Sequence, residues 1–171
     1  MLKSLRYTVC VLALVLTGTS VFAQQPDTQG ALVKDVSTLS DKFTGLARVM
    51  AGKYDSRPSQ GVRSVGDVFN LIVAENNMLA GTLSGTGGAM EKAPAITEPA
   101  AMQEALKASY EKVRQALAAL SASDLNASVS LFGQKTTKQG AALMIILDQH
   151  EHLGQSIAYA RANNVVPPWS K

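Results

Sequence analysis

The chain has almost no cysteine, since Cys10 is the single one among its 171 residues. Cys10 lies inside an apolar stretch near the N-terminus, so the remainder of the chain can form no disulfide and offers no thiolate nucleophile. A zinc site built from cysteines is excluded for the same reason. We therefore expect the folded domain to be indifferent to the redox state of its compartment.

Neither sign of charge dominates the sequence. It contains 16 lysines and arginines against 13 aspartates and glutamates, which gives a formal net charge of +3. Lys3 and Arg6 lie in the N-terminal stretch, and removing these two charges leaves +1 for residues 24–171. The basic residues form no cluster with interleaved aromatics, so we expect no nucleic-acid partner.

No apolar run has the length of a membrane-spanning helix. The N-terminal run TVCVLALVLTGTSV falls short of the roughly 20 residues that a span requires. It follows Lys3 and Arg6 and leads to VFA, a small-x-small cleavage pattern that ends at Ala23. The sequence thus predicts a signal peptide over residues 1–23 and one domain over 24–171, exported to the periplasm or the extracellular space. An uncleaved anchor is the alternative; after cleavage no membrane contact is expected.

Four segments carry apolar residues at intervals of three and four, the spacing of amphipathic helices. The predicted helices cover residues 31–50, 64–79, 99–120 and a last segment from 136 or 137 to just before 167. Strand signals are nearly absent, apart from a short extended piece over 129–132. This pattern predicts an all-α fold, a four-helix bundle.

Local signals mark where these helices begin and which side chains they bury. Ser64 and Asp67 have the spacing of a capping box, and Pro99 suits a first helical turn. The glycine-rich stretch GTLSGTGGAMEKAP after the second helix is a connector or a lid over a site. In the last helix the predicted core residues are Leu143, Ile146, Leu147 and Ile157. We expect Trp169 to pack the C-terminal tail against the bundle.

Both histidines of the chain lie in the last helix, two positions apart. Two positions correspond to about 200° around a helix, so His150 and His152 cannot face the same inward site. An inward stripe runs through Ile145, Asp148, His152, Gln155 and Tyr159 at steps of three and four. Asp148 and His152 could share a metal ion or form an Asp–His hydrogen bond along the helix. His150 is expected at a solvated position or an inter-helix edge.

Two blocks of the sequence resemble the DinB-like superfamily. They are KYDSRPSQGVRSVGDVFNLIVAENNML and LFGQKTTKQGAALMIILDQHEHLGQSIAYARANNVVPPWS. The ending of the second block, with EHLGQ, YAR and VVPPWS in order, is the more specific part. The resemblance covers nearly all of residues 24–171 and implies an up-down four-helix bundle with a long crossover.

The resemblance also implies where a metal site would lie. Similar proteins often bind nickel or zinc through three histidines, one from the second helix and two, four positions apart, from the last. Carried onto this sequence, His152 matches one ligand, Asp148 stands at the second and Leu71 at the third. Glu75 follows Leu71 by one turn, about 5.4 Å along the helix. The candidate metal ligands are therefore Glu75, Asp148 and His152, at a displaced site.

Two functions are compatible with this incomplete ligand set. In the first, the protein is an exported DinB-like domain without a cofactor, which binds an unidentified small molecule or has a structural role. In the second, it is a divergent enzyme that uses nickel or zinc at Asp148 and His152, of the thiol S-transferase or hydrolase type found in similar proteins. No catalytic residue is assigned, and a homodimer is compatible with both.

Overall fold

The computed structural model describes residues 27–90 and 92–170, which form four long helices, one short helix and a β-hairpin. In chain order the elements are α1 (Thr28–Val49), α2 (Val65–Ser84), α3 (Pro99–Ala118), α4 (Ala122–Leu125), β1 (Ser128–Leu131), β2 (Gln134–Thr137) and α5 (Lys138–Ala162). The all-α four-helix bundle expected from periodicity is thus confirmed. The predicted signal peptide lies outside the described residues.

Helix starts follow the local signals in the sequence. The Asp67 amide donates to Ser64 Oγ at 3.2 Å, and the Ser64 amide donates to Asp67 Oδ2 at 2.8 Å, which completes a capping box at α2. Pro99 is the first residue of α3. Thr137 caps α5 by accepting a hydrogen bond from the Gly140 amide. These caps fix the starting positions of the helices that carry the candidate ligands.

Aromatic packing at the bundle centre joins three helices. Phe43 on α1 lies edge-on to Phe69 on α2 with ring centroids 6.4 Å apart, and it stacks on Tyr110 of α3 at 6.2 Å. Helices α1 and α2 both pack along α3, and α5 closes the bundle against α1 and α2. Tyr54 packs on Phe69 and donates a hydrogen bond to the Ala47 carbonyl. Among the described residues, none of the helices combines the length and apolarity of a membrane span.

Two of the four core residues predicted on α5 are wrong. Ile146 is buried and Ile157 packs partly against the core, but the exposed fractions of Leu143 and Leu147 are 39% and 62%. Apolar residues occur on every side of α5, so their spacing does not single out one face. The face of α5 turned inward carries the fully buried Ala141 and Ala142, and Leu143 and Leu147 lie on the outer surface.

The predicted extended piece over 129–132 is one strand of a hairpin. β1 pairs antiparallel with β2, with Ser128 opposite Thr137 and Leu131 opposite Gln134. Phe132 and Gly133, both with positive φ, form the turn. The second strand leads directly into α5, so the hairpin belongs to the long crossover between α3 and α5.

The C-terminal tail packs on α1, as expected for Trp169. Pro168 and Trp169 approach Gly45, and the Lys42 ammonium lies 5.7 Å from the centroid of the Trp169 ring. Trp169 nevertheless keeps 39% of its surface exposed. The tail therefore covers one side of α1, with Pro167 buried and Val165 packed against the core.

Helix α2 extends one turn past the predicted end, and the segment after it returns along its surface. We call residues 85–90 and 92–98 the α2–α3 loop. A Cβ added at Gly81 would collide with the Gly87 carbonyl oxygen of this loop. The glycine at position 81 is therefore required by a close backbone approach rather than by its own conformation.

Gly81→Ala is expected to destabilise the protein by about 1–3 kcal/mol, the usual cost of forcing extra atoms into a packed site. In an open helix position the same exchange stabilises by up to about 1 kcal/mol. Gly154→Ala in α5 is the matched control, because a Cβ added there meets nothing within 4 Å. Urea unfolding followed by circular dichroism compares the two. Stabilisation by both substitutions would contradict the close approach of the loop.

Candidate metal centre

Three ligand-bearing side chains from two helices converge on one point. Glu75 extends from α2, while Asp148 and His152 extend from adjacent turns of α5. One ligand atom from each of the three lies within 4.8 Å of the other two. Asp148 and His152 meet because residues four apart share a helix face, with 3.4 Å between Asp148 Oδ2 and His152 Nε2. The turn that separates Glu75 from Leu71 therefore does not keep Glu75 out of reach.

The imidazole of His152 is oriented by a short chain of hydrogen bonds on the same helix. Gln155 Nε2 donates to the Tyr159 hydroxyl at 2.9 Å, which turns Gln155 Oε1 towards His152 Nδ1, also at 2.9 Å. Nδ1–H therefore donates to Gln155. In the neutral ring this leaves the lone pair on Nε2, the nitrogen that faces Asp148. Metal-binding histidines are commonly held by a second hydrogen bond of this kind.

Glu75 is the buried acid of the cluster. It is only 4% exposed, and no hydrogen-bond partner for its Oε2 is found in the described part of the chain. Burial, together with the neighbouring carboxylate of Asp148, raises the pKa of Glu75 to about 8. A hydrogen bond from the Gln149 side chain and the positive charge of Arg63 oppose this shift without cancelling it. At neutral pH Glu75 therefore keeps its proton in the absence of a cation.

Asp148 is more exposed to solvent than its place on the inward stripe suggests. Its side chain is 45% exposed, whereas that of His152 is only 15% exposed. The cluster thus has a buried side formed by Glu75 and an open side formed by Asp148. A site with one open side can admit a ligand from solvent.

A buried polar chain lies next to the cluster and was not predicted from the sequence. Gln149 Nε2 donates to Asn76 Oδ1 at 2.9 Å, and Asn76 Nδ2 donates to Ser109 Oγ at 3.1 Å. The Ser109 hydroxyl donates in turn to the Leu106 carbonyl. All three polar side chains are at most 2% exposed. The chain links α5, α2 and α3 directly behind the candidate ligands.

The two remaining residues singled out by the sequence lie away from the cluster. Leu71 lines a cleft beside the α2–α3 loop. A leucine at position 71, where the resemblance implies a histidine, therefore leaves no gap among the three converging side chains. His150 Nε2 lies 2.9 Å from Asp35 Oδ2 of α1, and both side chains are well exposed. His150 was predicted at a solvated position or an inter-helix edge, and it lies at an exposed edge between α5 and α1.

Comparison with known families agrees with this architecture. A family model described as the DinB superfamily matches residues 28–156, most of the chain. The chain belongs to the DinB superfamily. The resemblance seen in the two sequence blocks is thereby confirmed. No curated protein matches the chain.

Solved structures of DinB-like proteins have the same fold. One from Bacillus subtilis is 16% identical, with a TM-score of 0.67 over 78% of this chain and 92% of that one. Another, from Bacillus cereus ATCC 10987, is 15% identical, with a TM-score of 0.72 over 83% of this chain and 97% of that one. At such identities the likeness concerns the DinB-like fold alone, so function has to be argued from the residues of this chain.

Proposed function

We propose that Glu75, Asp148 and His152 bind a divalent metal ion. The observation that carries the proposal is the convergence of three ligand atoms within 4.8 Å, together with a buried Glu75 Oε2 that has no hydrogen-bond partner in the described part of the chain. A buried acceptor without a partner is costly, and coordination would satisfy it. Two carboxylate oxygens and one imidazole nitrogen suit zinc or nickel.

The arrangement supports a metal-dependent activity rather than a closed structural site. Three protein ligands with an open side resemble catalytic zinc sites, whereas structural sites have four. A cation held there would act as a Lewis acid towards a water molecule or a thiol. The residues of the chain would hold it: Gln155 fixes the tautomer of His152, and Glu75 would give up its proton on binding. A hydrolase or a thiol S-transferase is the reaction class that we favour.

A binding domain without metal is the second candidate. Its support is the raised pKa of Glu75, because a protonated Glu75 beside the carboxylate of Asp148 is stable without any cation. In this alternative the three side chains form a polar pocket wall. The two candidates differ in whether the cluster binds metal, which is directly measurable.

Zinc and nickel titrations of the purified, chelator-treated protein at pH 8 test the proposal. We expect one bound ion per chain, and an affinity at least tenfold lower in Glu75→Gln, Asp148→Asn and His152→Ala. Losing only a hydrogen bond that orients a ligand already costs about 10–100-fold in metal affinity. His150→Ala is the control, because that histidine pairs with Asp35 away from the cluster. Isothermal titration calorimetry measures the affinities. No binding, or equal losses in His150→Ala and His152→Ala, would favour the metal-free candidate.

A further inference from the structure

A second concave site lies between α2, α3 and the α2–α3 loop. It encloses about 1320 Å³, and none of the three candidate metal ligands lines it. Small-molecule sites in proteins typically have volumes of about 300–1,000 Å³, so this cleft can hold a ligand of several carbon atoms. Any ligand bound here would be independent of the proposed metal.

The outer wall of the cleft is held against α2 at both ends. At one end, Asn70 accepts a hydrogen bond from the Ile96 amide at 2.9 Å and donates one to the Ile96 carbonyl at 3.1 Å. At the other end, the Thr86 amide donates to the Gly81 carbonyl, and the missing Cβ of Gly81 admits the Gly87 carbonyl. Specific side chains therefore shape this cleft, as in preformed ligand sites.

The cleft lining combines apolar side chains with cations. Its larger apolar members come from α2 and the loop, and smaller alanines from α2 and α3 lie among them: Leu71, Val73, Met90, Pro94 and Ile96, with Ala74, Ala80 and Ala116. Three cations, Arg63, Lys92 and Lys112, face a single described acid, Asp67, among the lining residues. The described lining thus carries two more positive than negative charges.

The charged residues of the lining differ in whether they already have a partner. Asp67 already has a partner, because its carboxylate accepts a hydrogen bond from the Ser64 amide. The hydrogen bonds with Ser64 lower the pKa of Asp67, and the charges of Arg57 and Arg63 lower it further. Lys112 Nζ donates to the neutral Asn77 Oδ1 at 2.9 Å, and in the described part of the chain no carboxylate lies within ion-pair distance of it. Lys112 is therefore an ammonium group beside an apolar cleft without an anionic partner.

We propose that this cleft binds a single-chain amphiphile with one anionic headgroup, of which a medium-chain carboxylate is the simplest. The alkyl chain of the ligand would lie along the apolar residues of α2 and the loop, where burial of each methylene favours binding. The headgroup would pair with Lys112 through a charge-assisted hydrogen bond. A neutral amphiphile would leave the Lys112 ammonium without an anionic partner, with only the neutral Asn77 side chain to accept its hydrogen bond.

Calorimetric titration with decanoate, below the concentration at which it forms micelles, tests the proposal. We expect saturable binding of one decanoate per chain, weaker binding of decanol, which lacks the charge, and no binding of acetate, which lacks the chain. Lys112→Gln is expected to weaken decanoate binding about fivefold, the effect of losing a solvent-accessible ion pair. Lys107→Gln on the same helix is the control, since Lys107 is exposed and does not line the cleft.

A steric variant tests the location. Ala74→Trp would fill the cleft from α2 and is expected to abolish decanoate binding, with the far-ultraviolet circular dichroism spectrum unchanged. Ala116→Trp fills it from α3 and replaces the first variant if that one does not fold. Absence of decanoate binding to the unaltered protein overturns the proposal. Binding that survives a folded tryptophan variant, or that is equal for decanol and decanoate, also overturns it.

Discussion

Raising the pH from 5 to 8.5 is expected to destabilise the metal-free protein by a few kcal/mol. The folded state keeps the proton of Glu75 up to a pKa of about 8, whereas the unfolded chain loses it near 4.5. Between these values the folded state binds more protons, so stability is fully present at the acidic end of the window and is lost as the pH rises. A shift of this size corresponds to a contribution on the order of a few kcal/mol.

Urea denaturation at a series of pH values, with a chelator present, measures this dependence. Glu75→Gln cannot ionise, so its free energy of unfolding is expected to change much less over the same window. Glu104→Gln is the control, because the Glu104 side chain is 77% exposed and pairs with Lys107, which is also an exposed surface residue. A wild-type slope that Glu75→Gln does not reduce would show that the carboxyl of Glu75 is already ionised at neutral pH.

Phe43→Ala is expected to lower the free energy of unfolding by about 3–5 kcal/mol, as large core truncations do. Phe43 is fully buried and packs against Phe69 and Tyr110, so its loss opens a cavity among three helices. Phe132→Ala is the matched control at the hairpin turn, where Phe132 is 60% exposed, and it is expected to change stability by less than about 0.5 kcal/mol.

Chemical denaturation with both variants checks this difference. The slope of free energy against denaturant should stay constant, since the surface exposed on unfolding changes little. Similar losses in Phe43→Ala and Phe132→Ala would contradict the position of Phe43 at the centre of the bundle.

The sequence predicts all four long helices, but it predicts the buried face correctly only where the apolar stripe is narrow. Along α1 the side chains of Leu32, Val36, Leu39, Phe43 and Leu46 recur at helical spacing, and all of them are buried. Helix α5 has apolar residues around its whole circumference, so periodicity could not place Leu143 and Leu147 on the outside. The rotation of such a helix depends on how its small residues fit against other helices, which is a tertiary property.

All three candidate ligands were named from the sequence, Asp148 and His152 by their spacing and Glu75 through the family resemblance, but the sequence did not predict which acid is buried. The four-residue spacing of Asp148 and His152 places them on one face, and the structure brings them together. The buried acid, however, is Glu75 and not Asp148, because burial depends on how α2 and α5 are rotated against each other. The hydrogen bonds of Gln149 with Asn76 depend on the same inter-helix geometry. A sequence pattern within one helix contains no information about how that helix is rotated against its neighbour.

The buried chain from Gln149 through Asn76 to Ser109 has a consequence for the uniqueness of the fold. If α5 slid by one turn along α2, the amide groups of Gln149 and Asn76 would lose each other inside an apolar core. Each buried polar group left without a partner costs about 1–3 kcal/mol. Leucines alone would tolerate such a slide, since one apolar contact replaces another at little cost. These polar residues therefore favour a single register of α5 against α2, because their hydrogen bonds form only in that register.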